Sequence, residues 1–334
     1  MTWKSHLKAD STDWLLEDEN PSVKYFTLTT LLDRKEDDHE VKKTKDRIIT
    51  SEPVTKILSK QEKSGHWGKP EDFYVRSKYR GTVWSFLVLA ELGLSGESDS
   101  IKKAADFIFT WSQDRKSGGF SHIGTKENGG RHSMVIPCLT GNMVYSMIKF
   151  GLLENPRTQN ALDYITKHMR FDDGVKPPDR WPYNRYEVCY GRHTCHMSAA
   201  KILKALAEIP GEKRTPDMKR VIEEGVEYFL IHHIHKRSHD LSKVSKPGWL
   251  RFGFPLMYQT DALELLDIIT SLGCKDYRMQ EAADLVTKRQ QDNGRWLMQN
   301  SFNGKMAASI ETKGKPSKWI TLRAMRSLKR YYSG

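Results

Sequence analysis

No stretch of the 334-residue sequence runs for ~18 uninterrupted apolar residues, the length a membrane-spanning helix needs. The opening Met1-Thr-Trp-Lys-Ser-His6 lacks the apolar core of a secretory signal, so the expected location is the cytoplasm. Cysteine is scarce: Cys138, Cys189, Cys195 and Cys274 are the full set. So few in so long a chain point away from a disulfide scaffold and towards free thiols or metal ligands. No convincing run of alternating apolar and polar residues marks a β-strand, which turns the reading away from sheet-based folds. An arginine-rich tail, zinc-finger spacing and an RNP-like aromatic motif are also missing, which speaks against nucleic acid as a partner.

What is present is a core. With 38% hydrophobic and 10% aromatic residues, the chain can bury a large interior and is not globally disordered. Its formal net charge is +12. A basic surface attracts phosphate, diphosphate, acidic sugars or an anionic membrane. The expected partner is a small amphiphilic or anionic molecule, and peripheral membrane contact is compatible with the charge. Nothing indicates a protein partner.

A glycine-rich turn recurs. Gln61-Glu-Lys-Ser-Gly-His-Trp-Gly68, Asp114-Arg-Lys-Ser-Gly-Gly-Phe120 and Gln290-Gln-Asp-Asn-Gly-Arg-Trp296 share polar residues, then glycine, then an aromatic. Phe171-Asp-Asp-Gly-Val175 is a weaker copy, and Pro247-Gly-Trp-Leu-Arg-Phe-Gly-Phe254 fills the remaining gap. A spacing of about 55 residues is the signature of stacked or ringed supersecondary units.

Pairs of helix patterns lie between these turns. The stretch 82–93 is almost wholly apolar, as in a helix buried on all sides. Ile101, Ala104, Ala105, Ile108 and Trp111 then form one apolar face. The alternation repeats at 139–150 with 159–169, 196–209 with 217–231, and 258–272 with 277–289. A last helix is predicted over 317–332. Earlier helices are predicted at 23–32 and across 39–60, with a break at Pro53. One buried and one amphipathic helix per repeat suggests an all-α protein of two concentric layers, the inner helices forming a barrel and the outer ones facing water. Residues 1–60 would pack on or complete the ring, and 61–334 would form the main domain.

From Gln61 to the C-terminus, these turns and the helix-pair period resemble the α/α-toroid superfamily of squalene and terpenoid cyclases and protein prenyltransferase β subunits. The resemblance implies an α/α toroid, a double ring of helix pairs around a central cavity that would be apolar and aromatic, with basic residues at one rim. The cyclases' D-x-D-D acid motif and the lyases' D-D-x-x-D magnesium motif are absent, and Asp172-Asp173 reads as turn chemistry. Prenyltransferase β subunits bind zinc through a D-x-C pair at one inner helix head and an H-T-C-like segment at the next. Arg192-His-Thr-Cys-His-Met-Ser198 resembles the second segment and puts His193 on the histidine position. Arg131-His-Ser-Met-Val-Ile-Pro-Cys138 puts Cys138 on the cysteine position, with Ile136 where the aspartate would stand. The implied cofactor is zinc, with Cys189 or Cys195 supplying a further ligand. The implied substrate is an isoprenoid diphosphate, its charged end held by Lys126, Arg131, Tyr79 and Arg80. A protein prenyltransferase also needs a helical α subunit, for which the sequence shows no surface.

The residues themselves leave alternatives open. The three cysteines could be small buried apolar groups, or Cys195 could form a thiolate–imidazole pair with His193 or His196. Arg76-Ser-Lys-Tyr-Arg-Gly-Thr82, with Arg185-Tyr186 and Arg251-Phe252, reads either as an anion site at the ring mouth or as solvated loop. Tyr183, in Trp181-Pro-Tyr-Asn-Arg-Tyr186, could stack on an apolar chain or a sugar. Trp84, Asn142 and Tyr258 are further substrate-lining candidates. Lys318, with Lys313 and Lys315, could reach an anion. His235 and His239 have helical metal-ligand spacing but sit where cations suit a helix C-terminus. Two other functions remain: a polysaccharide lyase or hydrolase using Tyr183, Tyr190, Arg192 and His193, and a non-catalytic binding toroid.

Overall fold

The computed structural model describes residues 2–74 and 79–333. The protein is all-α. Its helices are α1 (Thr12–Leu15), α2 (Pro21–Phe26), α3 (His39–Asp46), α4 (Glu52–Leu58), α5 (Thr82–Glu91), α6 (Asp99–Trp111), α7 (Pro137–Lys149), α8 (Pro156–His168), α9 (Glu187–Tyr190), α10 (His196–Ala207), α11 (Pro216–Ile231), α12 (Ala262–Ser271), α13 (Gln280–Lys288) and α14 (Lys318–Tyr332). Two short antiparallel hairpins, at 124–130 and 236–244, are the strand structure among the described residues. The sequence pattern gave no sign of them because each is too short to show alternation.

Each predicted helix is present, with boundaries trimmed by local chemistry. Pro137, Pro156 and Pro216 open α7, α8 and α11, where a missing N–H costs nothing. The helix expected from 258 starts only at Ala262, because the Asp261 carboxylate accepts the Glu264 N–H at 2.8 Å and caps it. Tyr258 therefore lies on the loop before α12. The segment after Ile231 leaves the helix at once, with His233 and Ile234 at positive φ. His235 and His239 thus lose the helical spacing that could have paired them.

Burial separates two layers. All ten residues of α5 are buried, and α7, α10, α12 and α14 are similarly enclosed. In α6, α8, α11 and α13 one face is buried and the other is wet. Among the enclosed helices α5 packs on α7, α7 on α10, α10 on α12 and α12 on α14, while α14 packs on α2. The circuit closes where the Phe26 ring of α2 lies against Gly93, just past α5. All six helices line one cavity, α5, α7 and α10 with residues of their C-terminal halves and α12 and α14 along most of their length. The lining expected there was apolar and aromatic; it is instead dominated by Lys, Arg, Asp and Glu.

The recurrent turns act as clasps. In three of them a glutamine Nε2 bonds the glycine carbonyl of its own turn and a backbone carbonyl on the next segment. Gln61 reaches Ser100 at 2.8 Å, Gln113 reaches Arg157 at 2.6 Å and Gln290 reaches Ala9 at 2.8 Å. The glycines Gly65, Gly118 and Gly294 have φ of +89°, +80° and +82°, and a Cβ on any of them would strike that same neighbour. A second bond ties each turn to the inner helix that follows. The N–H of Trp67, Phe120 and Trp296 donates to Oγ1 of Thr82, Thr140 and Thr321 at 3.1, 2.9 and 3.0 Å. The weaker copies keep the second bond alone, from Asp172 N–H to Thr194 Oγ1 and from Gly253 N–H to the Asp261 carboxylate.

Gln290 is nearly fully buried, and its Oε1 also accepts the Lys8 N–H at 2.6 Å. Gln290→Ala should lower the unfolding free energy by about 2–3 kcal/mol, since it strands buried backbone groups. It should also open residues 2–20 to protease. Gln113→Ala should cost similar stability without exposing that segment. Denaturant titration with limited proteolysis checks both.

Candidate functional site

The heads of α5, α7 and α10 and the loop before α12 come close together. Gly141 is central to this. A Cβ there would lie 2.6–2.8 Å from the Lys201 and Ile202 backbone, so only glycine lets α7 and α10 approach this closely. Their heads come together as a result. Cys138, in the first turn of α7, lies near enough to Cys189 and Cys195 that each opposes its ionisation. Burial is the larger effect and pushes the Cys138 thiol far up; it pushes Cys189 up to about 12, with Cys195 adding to the shift. Both thiols are therefore protonated at neutral pH.

Aromatic rings complete the walls. Trp84 of α5 donates its indole N–H to the Tyr74 carbonyl at 3.0 Å, with the Tyr74 ring 4.8 Å away and Tyr258 at 6.2 Å. Tyr79 packs on Trp84 at 5.6 Å and on Phe302 at 4.5 Å. Two amides hold the loop before α12 in place. Asn142 Nδ2 donates to the Met257 carbonyl at 3.1 Å, and Gln259 Nε2 donates to the Tyr79 hydroxyl at 2.9 Å. Burial and the adjacent Cys138 push the Tyr74 phenol far up. Yet Tyr74, Cys138 and Tyr258 each keep partial exposure. Asn142 Oδ1, Ser198 Oγ and Gln259 Oε1 are buried here without hydrogen-bond partners.

The sequence candidates divide. Cys138, Cys189, Cys195, Trp84, Asn142, Tyr79 and Tyr258 belong to this cluster. His193 does not join the sulfurs: its ring is 63% exposed and its Nδ1 sits 2.9 Å from the Asp173 carboxylate. Among the described residues no group of three or more His, Cys, Asp or Glu side chains is arranged to hold a metal ion, so the residues do not fit the implied zinc. Tyr190 is buried with its hydroxyl 2.5 Å from that of Tyr164, and Tyr183 is buried against it at 5.5 Å. His196 is enclosed by Tyr228, Phe229, His232 and Trp249. Burial, then the neighbouring His232, lowers its pKa to about 3, which leaves it too weak a base to activate Cys195.

Among the cationic candidates, Lys318 is paired with Glu17 and Glu19, each at 2.7 Å, so it is not free for an anion. Lys126 lines a surface cleft with His66 and Trp111, over α6. Arg80 donates to the Gly304 carbonyl at 2.7 Å. Arg131, Arg192 and Arg251 are exposed and make no ion pair with any described residue. Arg76, Ser77 and Lys78 lie outside the described residues. The sequence reading missed Tyr74, Ser198 and Gln259. Tyr74 had a signal, as an aromatic between the Trp67 turn and the basic cluster; the other two had none.

Two outcomes are expected here. Neutral Cys138 and Cys189 should alkylate with iodoacetamide at pH 8 about 10²–10³ times more slowly than free cysteine, judged by mass spectrometry of intact protein, because the thiolate is the nucleophile. Buried neutral histidines also set a pH dependence. His196 falls to about 3, and His235 falls to about 4 through burial and then Lys236. The unfolded chain takes up their protons near 6.5, so their contribution is full above that pH and is lost as pH falls towards 4. The unfolding free energy should decline across that window by up to about 1.4 kcal/mol per pH unit for each histidine, and the thermal midpoint should fall with it. A flat midpoint between pH 6.5 and 4 would contradict the burial.

No protein-family model matches the chain, and no curated protein matches it. Among solved structures it is similar to the type II terpene cyclase MstE from Scytonema in complex with geranylgeranyl dihydroxybenzoate. The identity is 12% over 85% of this chain and 96% of that one, with a TM-score of 0.33. The apo form of MstE gives 13% over the same shares, with a TM-score of 0.30. A protein from Actinoplanes gives 12% over 86% of this chain and 99% of that one, with a TM-score of 0.31.

Proposed function

We propose that the helix pairs form an α/α toroid and that the chain is an enzyme of the prenyltransferase and terpenoid-cyclase type, acting on an isoprenoid chain with an anionic head. The observation that carries this is the partly exposed group of Tyr74, Cys138 and Tyr258 about Trp84, which we read as the wall of a hollow. Its walls are aromatic faces and neutral thiols, which suit an apolar chain. Aromatic faces also stabilise positive charge developing on carbon. Exposed Arg131, free of ion pairs with the described residues, is suited to neutralising a departing diphosphate.

The carboxyls at the heads of α12 and α14 favour departure of a leaving group over protonation of the substrate. Both Asp261 oxygens accept backbone N–H groups, from Glu264 and Gly253. Glu311 accepts the Ser317 hydroxyl and the Lys318 N–H at the head of α14. Each carboxyl thus already serves as an acceptor that fixes a helix head, although burial raises the pKa of both, that of Asp261 to about 6. No step is assigned to zinc, because His193 is turned to Asp173. The lyase reading loses support as well: Tyr190 is buried on Tyr164, whereas Arg192 and His193 face solvent.

Farnesyl diphosphate and uncharged farnesol should both quench tryptophan fluorescence in the wild-type protein. Cys138→Phe, which fills the hollow, should weaken both by at least tenfold. Arg131→Ala should weaken the diphosphate alone. Quenching by neither compound, or quenching unchanged in Cys138→Phe, would overturn the reading.

A further inference from the structure

Between the inner helices lies the cavity of about 270 Å³ to which all six contribute. Around it stand six cations, Lys149, Lys201, Lys204, Arg323, Arg326 and Arg330. The carboxylates there are Glu91, Glu208, Glu264 and Asp267. Each carboxylate already has a close cation. Glu208 has Lys149 at 3.2 Å, and Glu264 has Lys201 at 2.7 Å. Glu91 has Lys204. Asp267 has Arg326 at 2.8 Å and Arg330 at 3.0 Å.

Arg323 is left over. It is only 5% exposed, yet its nearest carboxylate oxygens are 3.5 Å away on Glu91 and 3.7 Å away on Asp267. Its guanidinium makes no hydrogen bond to any described residue, and Nη1 is buried without a partner. A buried cation in this state is costly unless something supplies acceptors. Two more donors share the cavity. The Trp319 indole N–H is buried without an acceptor. Tyr145, whose ring lies 4.4 Å from Lys204 Nζ, also lines the cavity, and its hydroxyl bonds to no described residue. The negative helix ends would draw cations, but that demand is met by the lysines and arginines already there. What the cavity lacks is acceptors.

We propose that this cavity binds a small phosphate-type oxyanion, inorganic phosphate or diphosphate, received by the Arg323 guanidinium, the Tyr145 hydroxyl and the Trp319 N–H. Arginine presents several N–H groups in a fixed fork suited to such oxygens. Lys149, Glu208 and Arg330 are partly exposed and mark the mouth. The site is built from residues other than those of the aromatic hollow and does not rest on the function proposed there.

Titration calorimetry with sodium diphosphate and sodium phosphate, against chloride at constant ionic strength, tests it. Saturable one-to-one binding of at least one of the two anions is expected, with a rise of several degrees in the denaturation midpoint. Affinity should drop at least tenfold in Arg323→Met and in Tyr145→Phe, while farnesol quenching stays at the wild-type level. If Arg323→Met does not fold, Tyr145→Phe, which keeps the ring over Lys204, decides alone. No saturable binding of either anion, or binding unchanged in Tyr145→Phe, would mean that water fills the cavity and would overturn the proposal.

Discussion

The architecture depends on charge held where there is almost no water. Lys201 is fully enclosed and meets both oxygens of Glu264, at 2.8 and 2.7 Å. Lys204, one turn on, bridges Glu264 and Glu91, while Arg326 and Arg330 fix Asp267. These contacts join α5, α10, α12 and α14. Ion pairs of this kind add little net stability over apolar packing, because desolvation offsets most of the attraction. Their effect is on register. A helix that slid or turned by one residue would leave a bare charge in a low-dielectric interior, at a cost of several kcal/mol. The interior helices therefore have one permitted alignment, and the placing of the charged cavity and of the cysteine cluster follows from it.

The perimeter is organised differently. There the repeated clasp joins outer and inner layers through neutral hydrogen bonds: a glutamine amide to the next segment, and a threonine hydroxyl to the turn's aromatic N–H. The device needs glutamine, glycine with positive φ and an aromatic together, so it leaves a mark in the sequence at Gln61, Gln113 and Gln290. The threonines that answer it, Thr82, Thr140 and Thr321, lie on the following inner helices and look like ordinary helix residues until the structure pairs them.

That contrast explains how much could be read beforehand. Helix existence, order and layer followed from local periodicity, because an apolar stripe is a property of neighbouring residues. Cys138, Cys189 and Cys195 were expected as metal ligands together with His193, and the structure brings the sulfurs near one another without that imidazole. The orientation of His193 was not foreseen, since it depends on an Asp173 brought across the 173–193 bridge. Lys318 read as a free cation because its partners, Glu17 and Glu19, lie three hundred residues earlier. The charged axis was invisible for the same reason: Lys201 and Lys204 carry nothing locally that distinguishes a buried lysine from a wet one, and the carboxylates that meet them come from other helices.

The bond from Gln290 to Ala9 has a consequence for how the molecule is made. The other clasps connect segments that leave the ribosome within a few dozen residues of each other. This one joins the first helical stretch to nearly the last, and α14 must then settle between α12 and α2. During synthesis the nascent chain is an open arc whose lysines and carboxylates still face water. Only when α14 emerges can the arc shut and those charges be dehydrated together, so closure comes as a late, concerted event rather than by gradual accretion.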